Sequence, residues 1–231
     1  ENELGNCASV SKAWCQVAYH ILASRTPSIA FGRTQWETYF GDIGEEEPPL
    51  PGNIWQILKS PCPFWPEKRV KQTHLLVLIP ASVNDEPLTL ESLGDLVQNP
   101  QNGGHASKYD LLDLSNKLRQ ESGKQSYWVL MTRDVLPDTR NKSYERQKEK
   151  VAEHEGYVVS KAREAAVCLF MHHVSTKEQL YGHEPWTFTL CEELVRKQFP
   201  AAVGGFGPGG LDVGSSHFVD DVGMGALRKL S

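Results

Sequence analysis

A chain of 231 residues, 39% hydrophobic and 23% charged, has the composition of a folded protein and room for one large domain or two small ones. Its net charge of -5 and pI near 5.9 speak against a general binder of nucleic acid or of acidic membranes. Apolar runs such as Leu75 to Ile79 fall far short of the ~20 residues that cross a bilayer as a helix.

The five cysteines (Cys7, Cys15, Cys62, Cys168, Cys191) are odd in number and form no CxxC pair. Reduced thiols in a cytoplasmic setting are therefore expected, and the sequon-like Asn141-Lys142-Ser143 is read as unused. The chain starts at Glu1 with no export signal, so it is expected to be a segment of something longer.

In chain order, Val10, Ala13, Trp14, Val17, Ala18, Ile21 and Leu22 make an apolar stripe that predicts a helix over 9–25, ended by Thr26-Pro27. Residues 31–66 follow with Trp36, Tyr39, Phe40, Trp55, Phe64 and Trp65 interleaved with prolines and glycines. Such a stretch cannot be regular, yet carries too much aromatic area to stay in water. It is expected to wrap its rings against a strand at Thr73 to Ile79, apolar on both faces. Within it Asn53 should cap a short helix ending near Leu58. The run Glu45 to Glu47 and the prolines after it are a solvated edge or a docking ridge.

The body, 67–231, should hold further helices capped by Thr89, Ser107, Ser143 and Ser160. The Ser107 helix would bury Leu111, Leu114 and Leu118, and the Ser160 helix one side bearing Ala165, Ala166, Leu169, Phe170 and His173. Tyr127 to Thr132 reads as a second buried strand. Trp186 to Leu190 reads as strand, although Leu190, Leu194 and Val195 also fit a helix. Ala201 to Phe218 reads as two strands and a tight turn. The expected fold is a single α/β or α+β domain spanning 1–231, a layered mixed sheet with helices.

Few residues promise chemistry. Gly205 to Gly210 matches GxGxxG formally, but no helix follows and a glycine turn explains it better. Cys168 and His172, one helical turn apart, could face one metal, yet AAVCLFM reads as core and two further ligands are missing. His105, Lys108 and Tyr109 gather at the expected cap of Ser107, where free N–H groups attract anions. Arg133, Asp134, Asp138 and Arg140 follow the second strand, where open α/β sheets collect ligands. His105, Tyr109, Asp134 and Asp138 are thus the candidate catalytic side chains, and Lys108, Arg133 and Arg140 the candidate ligand contacts. A capped, solvated loop and a surface ion-pair loop are the favoured explanations of the two groups, since capping alone accounts for Ser107 and Asp110. No cofactor is expected.

The stretches WETYFGDIGEEEPPLPGNIWQILKSPCPFW, THLLVLIP, YWVLMTRDVLPDTRNKSY and AAVGGFGPGGL together resemble an uncharacterised domain at the C-terminal end of large multidomain proteins of intracellular, chlamydia-like bacteria. The resemblance covers most of the chain beyond Ala30 and transfers no catalytic residue. It implies a module appended to a larger protein, next to repeat or interaction domains; a cytoplasmic location, with delivery into a host cell, is the expectation. A protein-interaction module with no chemistry of its own is therefore expected, with a protein partner and neither nucleic acid nor membrane. The alternative is a hydrolase or transferase with its site on the loops after Ile79 and Thr132.

Overall fold

A computed structural model describes residues 27–218 and 222–230. The helix expected over 9–25, together with Cys7 and Cys15, lies outside the described residues. From Phe31 onward the wrapping segment and the body belong to one compact unit.

The strand predicted from two-faced apolarity is β2 (His74–Ile79), buried at every position. It lies in a four-stranded sheet ordered β1-β2-β6-β10, with β1 (Ala30–Phe31), β6 (Tyr127–Thr132) and β10 (Leu227–Leu230). β6 runs antiparallel to both β2 and β10. Register and side-chain alternation set His74, Leu76, Leu78, Trp128, Leu130 and Arg228 on one face. That face takes the aromatic segment. The Trp36 indole donates to Leu78 O at 2.9 Å, the Trp128 indole donates to Pro48 O at 2.8 Å, and the Phe64 ring lies beside His74.

Trp36, Phe40 and Phe64 are buried as the sequence implies, whereas Trp55 is 41% exposed and Trp65 half-buried. The helices inside the segment are short: α1 (Arg33–Tyr39), α2 (Ile54–Lys59) and α3 (Val70–Thr73). Asn53 stands at the start of α2 but its side chain accepts no capping hydrogen bond. The acidic run is a solvated edge, with Glu45 and Glu46 exposed, but it is tied down. Glu45 accepts from Ser126 Oγ at 2.9 Å and Glu47 accepts from Arg33 N at 2.6 Å, so two of its carboxylates staple the wrap to the body.

The opposite face, with Leu75, Val77, Val129 and Met131, packs on α7 (Ala162–Thr176). A one-sided stripe was the expectation here, but nearly every residue of this helix is buried. The cause is a second sheet on its other side, ordered β5-β9-β8-β7: β5 (Tyr109–Leu111), β7 (Phe188–Val195), β8 (Phe199–Gly207) and β9 (Gly210–Ser215). A helix enclosed between two sheets is apolar all round. Its start is Lys161, not Ser160, whose hydroxyl is buried without a partner.

The layered α+β class stands, as do the β8–β9 hairpin in place of a dinucleotide loop and α4 (Leu90–Gln98), capped where Ser92 N donates to Thr89 Oγ1 at 3.0 Å. A minor hairpin, β3 (Ser82–Val83) with β4 (Glu86–Pro87), follows β2. The segment after Ser107 departs from expectation. Tyr109–Leu111 is a strand pairing in parallel with β9, and the next helix is the single turn α5 (Asn116–Arg119), capped by Ser115. Helical spacing of leucines gave way to an open sheet edge. The charged helix α6 (Tyr144–Ala152) lies where predicted, capped by Ser143.

Candidate functional site

The antiparallel pairing of β2 with β6 decides one question at once. Ile79 pairs with Tyr127 and His74 with Thr132, so the loops leaving Ile79 and Thr132 lie at opposite ends of the sheet, about 17 Å apart. They do not meet at one end of the sheet. The strand-end rule for parallel α/β sheets has no footing here.

The candidates themselves fall into four places. Tyr109 is half-buried, its ring against Phe170 and its hydroxyl enclosed without a partner, and desolvation pushes its phenol well above the usual value. His105 sits 6.2 Å, ring to ring, from His173, and Lys108 lends its carbonyl to Leu211 N. Arg133 leaves the Asp134 loop altogether: it donates to Glu178 Oε2 at 2.8 Å and meets His172 Nε2 at 3.2 Å, while Glu178 lies 2.6 Å from His172. Burial lowers the His172 imidazole, and its hydrogen bond to His172 lowers the Glu178 carboxyl. Cys168 is enclosed in α7 with its thiol driven well up by burial. Among the described residues no three His, Cys, Asp or Glu side chains converge on a metal-sized point.

What does come together is the loop after β6. Asp134, Pro137, Asp138 and Arg140 line a hollow of about 440 Å³ with Trp65 from the wrapping segment. Asp134 Oδ1 accepts from Val135 N at 2.7 Å, and Asp138 takes a left-handed turn with φ +61°. Neither carboxylate makes an ion pair among the described residues. Arg140 reaches across to the next hairpin, donating to Thr187 Oγ1 at 2.9 Å and to Trp186 O at 3.4 Å.

That hairpin carries the feature sequence reasoning missed. Trp186 is 58% exposed, the most open of the large apolar side chains among the described residues. It is also held firmly. Its ring stacks on Phe188 at 6.0 Å and 12°, and Gly205 lies beneath both rings, where a Cβ would come within 2.6 Å of each. Gly205 has φ +59°, a conformation glycine adopts freely. The only signal in the sequence was a tryptophan in His183-Glu184-Pro185-Trp186, which alternation alone assigns to a strand.

A second hollow, about 850 Å³, opens between α6, residues 157–159 and the edges of β7 and β10. In it Glu164, only 1% exposed, accepts from Tyr127 Oη at 2.6 Å, Lys161 N at 2.8 Å and Lys229 Nζ at 2.9 Å. Lys229 also lies 5.0 Å above the Tyr127 ring. All four groups satisfy one another, so this cluster clasps β6, β10 and α7 together. No family model, curated protein or solved structure matches the chain.

Proposed function

We propose that the chain is a protein-interaction module of a larger multidomain protein, docking through the Trp186 hairpin and the adjoining Trp65–Asp138 hollow. One observation carries this reading: an indole 58% exposed, yet fixed from below by Phe188 and Gly205. Rigid, exposed tryptophan is the residue type most concentrated at energetic centres of interfaces, because little freedom remains to be lost on binding. Two carboxylates without ion partners among the described residues, Asp134 and Asp138, line the hollow with Trp65 and favour a partner that sets a basic side chain next to an apolar one.

The reading as hydrolase or transferase has less behind it. It needs the loops after Ile79 and Thr132 in one place, and the antiparallel sheet separates them.

Random twelve-residue peptides displayed on phage and selected on the wild-type chain test the proposal. Selected peptides should weaken about thirtyfold or more on Trp186→Ala, the scale of an interface hot spot. Leu194→Ala, in the other hollow, should leave them unchanged. Peptides that bind Trp186→Ala as well as wild type would remove this face from the function.

A further inference from the structure

A third cavity, of about 290 Å³, lies where the wrapping segment meets β10 and the turn after α6. Arg228 enters it from the sheet face turned away from α7. Its guanidinium lies along Gly156, where φ is +81° and a Cβ would stand 3.5 Å from Nε. A guanidinium has five N–H donors and no acceptor. Here, half-buried, it makes no hydrogen bond and no ion pair among the described residues.

Two more polar groups line the same space. Tyr157 is more than nine-tenths buried, wedged between Phe64 at 4.9 Å and His74 at 5.6 Å, and its hydroxyl has no partner. His154 sets its ring edge-on to Phe64 at 4.7 Å. Ile57, Pro63 and Val70 supply an apolar wall. Glu153 and Glu155 also line the cavity. Lys150 holds Glu153 at 2.9 Å, which leaves Glu155 as the uncompensated opposing charge. One opposing carboxylate disfavours a phosphate dianion more than it does a single negative charge.

We propose that this cavity binds a small carboxylic acid with a compact apolar substituent. The carboxylate would take the paired N–H groups of Arg228 in the planar fork that suits it, with the Tyr157 hydroxyl as an additional donor. The substituent would lie against Ile57, Pro63 and Val70. Nothing in this rests on the docking face at Trp186.

Isobutyrate is the probe, with isobutyramide as its uncharged twin and inorganic phosphate as the competing anion. The readout is the Arg228 Nε–H signal in proton–nitrogen spectra, followed to about 50 mM, well above a millimolar dissociation constant. Isobutyrate should give a saturable shift and isobutyramide none, and phosphate should bind more weakly. Arg228→Lys keeps the charge but loses the fork, and should weaken isobutyrate about tenfold, read by the shift of the nearby backbone amides. Tyr157→Phe should weaken it about threefold, as for one lost hydrogen bond. A shift that never saturates, an amide that binds equally, tighter phosphate, or full affinity in Arg228→Lys would each overturn the proposal.

Discussion

Removing the Glu164 carboxylate should be among the most damaging single changes in this protein. Glu164→Ala strips three hydrogen bonds made to a buried charge: from Tyr127, from Lys229 and from the backbone of Lys161. Bonds to charged groups contribute about 1.5–3 kcal/mol each when lost from a buried site. Lys229 is 52% exposed and can turn to water, so its share is small. Tyr127 is only partly buried, which lowers its share as well. The expected total is about 3–4 kcal/mol, or a fall in Tm of roughly 10 °C for a chain of this size.

Urea unfolding followed by tryptophan fluorescence reads the loss directly. Tyr127→Phe should cost about 1–2 kcal/mol in the wild type and much less in the Glu164→Ala background, giving a coupling energy near 1 kcal/mol. If Glu164→Ala stays within about 1 kcal/mol of wild type, or the two changes add fully, the clasp holds nothing together.

Two further outcomes follow from groups described above. Gly205→Ala places a Cβ against Phe188 and Trp186 at a left-handed position, and should destabilise by about 1.5–3 kcal/mol and shift tryptophan emission. An unchanged spectrum and stability would show that Trp186 needs no such platform. Burial lowers the His74 imidazole from 6.5 to about 4. The unfolded chain therefore binds this proton more readily, and stability is lost as pH falls from about 6.5 to about 4, then levels off. The loss attributable to His74 is about 3 kcal/mol. His74→Gln should flatten the stability profile in that window; identical slopes for variant and wild type would exclude His74 as the cause.

Local patterns in the sequence determined a good part of this protein. β2 and β6 were readable because strands buried on both faces need continuous apolar residues, and α4 and α6 because Thr89 and Ser143 satisfy orphaned N–H groups wherever they stand. The inward turn of Trp36 and Phe40 follows from the area they would otherwise expose. The tertiary structure decided the rest. Tyr109–Leu111 opens a run of leucines at helical spacing (Leu111, Leu114, Leu118), and became a strand because the edge of β9 offered it hydrogen bonds. Ala162–Thr176 lost its polar side to a second sheet that no local period announces.

Every grouping of functional interest joins distant segments: Trp186 over Gly205, Trp65 beside Asp138, Glu164 with Tyr127 and Lys229, Arg228 with Tyr157. Periodicity reports only what neighbours along the chain do. Which side chains share a cavity depends on strand order and register, and those are set by how the whole core closes.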